Sequence, residues 1–506
     1  MKFIHFCILV STFAFTILFY EQNEGLNYLL FNLLLVTLTA FNNRSLLTKP
    51  AWLVVAAGAL LSSFYVLWYG TGLPVLANWC SILALAGLSY TPNASLHLAG
   101  AMGFLSLFFS FFRGFFSKAL IPAEETDTRT KPARFPMIVI AISVTTLFFL
   151  LYRDSNPLFA NVTDNINLDF VNFSWLFFTF LGFVWMYGFF RHRSSEKLIR
   201  LDGMSSDNLP VITEEQHSSP AKWFALLPAT EIFGGALLFA LLNLLLLTVN
   251  GLDVYYIWIA KKLPAGISVA DYLHDGTETL VFSILLAILI ILIVFRGYLN
   301  FAPKTQTLRW LCYAWITQNV LMLFTTAQRN WWIIESSGLT RRRIGVYVYL
   351  LLCVIGLFIT FLKVAQRRSN WFLFRKNAWA FYVLFLFSLP VNWDELIITF
   401  NYKRFKSLQF EYIDRNYQAE LSHTSLGTLF KYYAQEQQTA NDRTMFTEPV
   451  LQSMYAHYHW LKQEQTESDW RSYCVSKHNN LQVIEKLIAE GKIPATIKLP
   501  PPRNGL

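Results

Sequence analysis

The chain has 506 residues, of which 54% are hydrophobic, 17% aromatic and only 14% charged. A soluble domain carries roughly 25% charged residues, so a water-soluble enzyme is excluded and a chain whose side chains mostly face lipid or other helices is expected. The formal net charge is +9. Its basic residues sit in short segments between apolar runs, which excludes nucleic acid as a partner and assigns them to topology and lipid headgroups.

A helix needs about 20 mostly apolar residues to cross a bilayer. Such stretches fall at 3–20, 25–41, 51–69, 73–90, 95–116, 136–152, 170–190, 224–248, 278–298, 307–327, 343–363 and 374–392. The first follows Met1-Lys2 and ends at Phe19-Tyr20-Glu21-Gln22 without a small-residue cleavage site, so it reads as a retained span. Only a few residues join it to the second, which requires a tight hairpin. Thr91-Pro92-Asn93 divides the fourth stretch from the fifth, and if one of these is partial the twelve spans become eleven. The expected fold is all-α, a polytopic transmembrane bundle over 1–399 with a small helical C-terminal domain over 400–506.

Taking alternate loops, the segments around 113–135, 191–222, 296–309 and 363–376 carry 18 Lys and Arg, against 9 in the opposite set. The richer set is expected on the cytoplasmic side, with the tail on the other. The early chain pulls the other way, because Lys2 and the loop with Arg44 and Lys49 favour the inside while Glu21 and Glu24 favour the outside. The connectors 117–135 and 191–222 mix both charge signs with Ser, Thr and Pro and show no hydrophobic period.

Beyond residue 400 the chain turns polar, and three amphipathic stripes stand out. Leu426, Leu429, Phe430 and Tyr433 recur at helical spacing, as do Leu451, Met454, Tyr455 and Tyr458. Leu481, Ile484, Leu487 and Ile488 form a third and shorter stripe before Pro494 and the run Pro500–Pro502.

Candidate chemistry concentrates in 250–347. Asn250 and Asp253 precede His274-Asp275-Gly276-Thr277-Glu278 at the expected entrance of the ninth span. Gln318 and Asn319 fall inside the tenth, Arg329-Asn330-Trp331-Trp332 close it, and Gly338-Leu339-Thr340 leads through Arg341-Arg342-Arg343 to Ile344-Gly345-Val346-Tyr347. Together with Asp414–Leu421, this order of motifs resembles a bacterial membrane-protein family known only as a domain of unknown function (the 4153/4173 group), from about residue 25 to the early tail. Trp332 departs from the tyrosine that the pattern expects. The resemblance implies the multi-pass architecture and a bacterial cytoplasmic membrane, and no reaction.

The residues have bland readings beside sharp ones. Asp275 and Glu278 have the spacing of an N-cap and its N3 partner. His274 reads as an interfacial hydrogen-bonding residue or as a titrating group. Gln318 and Asn319 are costly at bilayer depth unless paired, so they either pin helices or line a wet path. Arg329 and Asn330 each follow one of them by eleven residues, close to three helical turns, which continues a polar strip to the surface. Asp275 and Arg329 are expected to meet as an ion pair, since consecutive helices neighbour each other. Arg341, Arg342 and Arg343 fit a headgroup anchor.

Four of the five cysteines lie in apolar segments, no CxxC occurs, and His457 and His459 point to different faces of one helix. No P-loop, dinucleotide fingerprint, GxSxG or HExxH is present. No cofactor or metal is therefore expected. Three functions stay open: a solute or lipid transporter, a membrane scaffold or sensor whose tail binds a partner, and a membrane-embedded enzyme using His274, Asp275 or Glu278. The expected partners are the bilayer, a small-molecule or lipid substrate, and a protein at the tail.

Overall fold

The computed structural model describes residues 3–120, 145, 148–149, 151–156, 158–159, 172–191, 200, 202–203, 205–209, 228–260, 269–295, 298–407, 414–438 and 444–497; for 113–120, 228, 269–281 and 298 it describes the backbone alone. The described chain is helical, and its one bridge pairs Asn208 with Arg368. It divides into a unit of Met1–Leu67, Gly72–Asp202 and Ser468–Tyr473 and a unit of Trp68–Thr71, Gly203–Glu467 and Cys474–Leu506.

The first unit is built from α1 (Phe3–Phe19), α2 (Leu26–Asn42), most of α3 (Pro50–Tyr69), α4 (Gly72–Tyr90), α5 (Leu96–Leu120) and α6 (Phe173–Phe190). Pro50 opens α3, where its missing N–H costs nothing. The Asn172 side chain caps α6 by accepting from Trp175 N at 2.9 Å. Helices α4 and α5 pack backbone to backbone, because a Cβ at Gly87 would collide with the Ala99 carbonyl and one at Gly103 with that of Leu83. Small residues at such positions let two helix backbones approach closely. Helix α6 lies antiparallel to α1, with Thr16 donating to Thr179 at 3.2 Å and Phe15 stacked on Phe178 at 5.0 Å.

Helices α5 and α6 are also antiparallel. Ser106 donates to the Gly188 carbonyl at 2.6 Å, and Phe111 meets Phe183 edge-on at 5.8 Å. The end of α5 and the end of α6 therefore lie at opposite ends of this unit, which corrects the grouping of 117–135 with 191–222. That grouping counted a single span at 136–152, most of which lies outside the described residues. At one end Lys49 donates to Asn93 at 3.2 Å, and Ser95 donates to Asp202 through its backbone N at 2.9 Å and its hydroxyl at 3.0 Å. At the other, Tyr20 reaches Asn172 at 3.3 Å and Leu26 N donates to Tyr473 O at 3.0 Å.

The second unit begins with α7 (Pro228–Asp253), which widens into a π-turn over Val254–Ile259. It continues with α8 (Val269–Val294), α9 (Gln306–Ser337), α10 (Arg341–Ala365) and α11 (Asn370–Phe387). Phe239, Ile284, Cys312, Trp315 and Leu357 are at the centre of their shared core. The long cations at one end close helix C-termini: the fully buried Lys363 donates to the Phe295 carbonyl at 2.8 Å, and Arg309 donates to that of Val364 at 3.0 Å.

Among the described residues, Pro50–Tyr69, Gly72–Tyr90, Phe173–Phe190, Ala229–Ile259 and Arg341–Ala365 are long and apolar enough to cross a membrane. Phe3–Phe19, Leu26–Asn42, Leu96–Phe112 and Phe282–Val294 are apolar but shorter.

After α11 come α12 (Trp393–Lys406), α13 (Arg415–Ala419), α14 (Leu426–Gln438), α15 (Glu448–Glu467) and α16 (Val475–Ala489). Leu426, Leu429, Phe430 and Tyr433 are buried, as are Met454, Tyr455 and Tyr458 and then Leu481 and Ile484. Their cluster does not stop at residue 400, for it takes in Ile397 and Ile398 of α12 and reaches Ile334 and Leu339 between α9 and α10. Gly338 ends α9 at φ 84°, a conformation that favours glycine, and Asn401 clamps the next residue on both sides. Leu339 N donates to Asn401 Oδ1 at 2.6 Å, and Asn401 Nδ2 donates to Leu339 O at 2.8 Å.

Candidate functional site

Helices α7 and α9 run side by side in the same direction, joined by a polar seam. Asn243, Asn250 and Asp253 recur at seven and three residues along one face of α7. Asn243 donates to the Phe239 carbonyl of its own helix at 2.7 Å and to Leu311 O of α9 at 2.9 Å. Its carbonyl oxygen accepts from Gln318 Nε2 at 2.7 Å, and Asn250 donates to Gln318 O at 3.0 Å. One step further along, Arg329 forms an ion pair with Asp253 at the last residue before the π-turn. Both side chains are only 7% exposed, so the pair is held away from water.

The strip read from sequence is thus divided. Gln318 and Arg329 belong to the seam. Asn319 is buried but donates to Trp315 O of its own helix at 2.8 Å. Asn330, also buried, leaves the seam for α10, donating to Arg343 O at 3.0 Å. Among the described residues Arg329 pairs with Asp253; the side chain of Asp275, its expected partner, lies outside the described residues. Residues 274–278 do not open a helix either: α8 begins at Val269, so Asp275 and Glu278 stand within it and not at its start. The side chains of His274, Asp275, Thr277 and Glu278 lie outside the described residues. Asn243 was missed because one amide in a leucine-rich helix reads as noise, although its spacing to Asn250 and Asp253 was visible.

A second polar node ties α10 to the tail. Arg341 forms a two-pronged ion pair with Asp394, and its backbone N donates to Tyr417 Oη at 2.9 Å. Asp394, buried at the start of α12, also accepts from Ser422 N at 3.0 Å and from the Ser422 hydroxyl. Those hydrogen bonds and the guanidinium hold the Asp394 carboxyl below its ordinary range against the opposing effect of burial. Arg341 is thereby a structural partner of Asp394 as well as an exposed cation.

The match to the family model described as Domain of unknown function (DUF4153) covers residues 29–432. The chain belongs to the DUF4153 family. No curated protein and no solved structure matches it.

Within this DUF4153 chain a recess of about 240 Å³ opens beside that node. Trp68 and Tyr69 from the end of α3 flank it, with Asn392 and Glu395 of α12, Thr428 and Lys431 of α14, and Asn479 and Asn480 of α16. Asn392 caps α12, accepting from Glu395 N at 3.3 Å and donating back to Glu395 Oε2 at 3.0 Å. Thr428 donates to Glu395 Oε1 at 3.1 Å, and Asn480 accepts from Gly427 N at 2.7 Å. Tyr69 donates to Pro390 O at 2.8 Å, and its own carbonyl accepts from His423 Nε2 at 2.7 Å. Burial drives the His423 pKa down to about 4, so the ring is neutral in the fold. The walls of the recess are therefore fixed before anything binds.

Proposed function

We propose that this DUF4153 chain is an integral protein of a bacterial cytoplasmic membrane that carries a ligand-binding helical domain on the non-cytoplasmic side, as a sensor or scaffold. The continuity of the tail's core with Ile334 and Leu339 supports this reading most directly. A domain joined by hydrophobic packing, by the Asn401 clamp and by the Arg341–Asp394 pair moves with α9 and α10, so binding in the tail is felt at the bundle. Orientation rests on charge in each unit taken alone. In the first, Arg44, Lys49 and Arg191 lie at one end, with Arg113 and Lys118 of α5 beside Glu21 and Glu24 at the other, so the orientation is carried by the second unit. In the second, Lys304, Arg309, Lys363, Arg367, Arg368, Arg375 and Lys376 lie at the end opposite the tail.

Solute or lipid transport is the leading reading from the sequence, and the polar strip is its support. The seam gives those side chains partners across α7 and α9, Asn243 for Gln318 and Asp253 for Arg329. Substituted-cysteine labelling in a cysteine-free background separates the readings. Gln318→Cys is expected to stay inert to a hydrophilic thiol reagent, and Ser206→Cys to react only after the cell is permeabilised. Rapid labelling of Gln318→Cys would favour a permeation path, and labelling of Ser206→Cys from outside would reverse the orientation.

A further inference from the structure

Glu395 and Lys431 line the same recess, and among the described residues they pair neither with each other nor with any other charge. The carboxylate is positioned by Asn392 and Thr428, each using one of its two oxygens. Each oxygen keeps capacity for a further donor. The Lys431 ammonium and the Asn479 amide make no side-chain hydrogen bond among the described residues, so both are free to engage a ligand. An indole stands at the rim, since Trp68 is 42% exposed. Elsewhere in this tail opposite charges close on each other, as Lys406 does with Glu436 at 2.8 Å and Lys477 with Glu464 at 2.5 Å. A recess with one uncompensated charge of each sign, amides between them and an aromatic at the edge complements a small zwitterion.

We infer that the recess binds a free α-amino acid, its ammonium on Glu395, its carboxylate on Lys431 and Asn479, and its side chain toward Trp68. A volume of about 240 Å³ suits one such molecule and not a peptide. The Asn392–Glu395 cap and the Thr428 bond hold the carboxylate in place, which lowers the ordering cost on binding. The inference rests on the binding-domain reading above and names the class of ligand.

The test uses the full chain purified in detergent. Free L-amino acids are screened by thermal shift, and hits are titrated by calorimetry. At least one is expected to bind, with its N-acetyl and carboxamide derivatives each about tenfold weaker or worse, a loss of about 1.4 kcal/mol. Glu395→Gln is expected to weaken the hit about tenfold and to abolish discrimination against the N-acetyl derivative. Lys431→Met should do the same for the carboxamide. Both sites are exposed, and Gln at 395 can keep the cap, so unchanged melting temperatures verify folding. Absence of binding up to on the order of 10 mM, or binding indifferent to both substitutions, overturns the inference. A hit confined to sugars would also overturn it while leaving the binding domain intact. Reversed topology would strike the earlier reading alone, since binding in detergent does not depend on sidedness.

Discussion

The Arg329–Asp253 pair offers the sharpest test of the seam. Its partners come from α9 and α7, and each side chain is 7% exposed. Removing one partner breaks a buried ion pair, which typically costs 3–5 kcal/mol. Asp253→Leu and Arg329→Met are each expected to destabilise by about that much. The double variant Asp253→Leu with Arg329→Met removes both charges and both desolvation penalties, and such replacements are often neutral or stabilising. The cycle should therefore show a coupling of several kcal/mol, with the double variant more stable than either single one. Unfolding of the full chain in mixed micelles, followed by intrinsic fluorescence, measures all four corners. Single variants costing under about 1 kcal/mol, or a double variant equal to the sum of the singles, would show that the pair does not hold α7 to α9.

Three further outcomes follow from particular contacts. Gly87→Leu puts a side chain against the Ala99 backbone and should cost more than the 1–3 kcal/mol of ordinary overpacking; a melting temperature equal to the parent's refutes the backbone-to-backbone packing of α4 and α5. Asn401→Leu strips both hydrogen-bonding groups of Leu339 of their partner, a loss of about 1–3 kcal/mol per group, and proteolysis should become faster between α9 and α10. His423 has a folded pKa of about 4 against an ordinary 6.5, so stability is complete above pH 6.5 and falls as acid protonates the unfolded chain first. That fall saturates near pH 4 at ~3 kcal/mol, and His423→Gln should flatten the pH dependence over this window.

Most of the helical architecture was legible because it depends on one property, the length of an apolar run. The stretches at 51–69, 73–90 and 343–363 became Pro50–Tyr69, Gly72–Tyr90 and Arg341–Ala365 with ends shifted by a few residues. The tail stripes were equally plain: every residue of the first is buried, and Leu451, Leu487 and Ile488 of the other two are partly buried against the same core. Direction was harder. The basic-residue count sums over loops and needs α5 and α6 to run parallel, whereas their contacts make them antiparallel. Contacts such as Ser106 to Gly188 depend on which helices touch, which no local pattern encodes.

The site divides along the same line. A polar residue in an apolar helix announces that it needs a partner, and Gln318 and Arg329 were found on that ground. Who the partner is depends on which helices are neighbours. The rule that consecutive helices pack together leads from α9 to α8 and hence to Asp275, whose side chain lies outside the described residues. Among the described residues α9 takes partners from α7, the helix before α8, running in the same direction. An intervening helix between two parallel neighbours allows this arrangement whenever the flanking pair has the more complementary faces. Here α7 presents Asn243, Asn250 and Asp253 in a row, and each unmet amide or charge on α9 lowers its cost by choosing that face. Polar spacing on α7 thus matches that of α9, and the pairing of these two helices is legible in the few polar residues they carry.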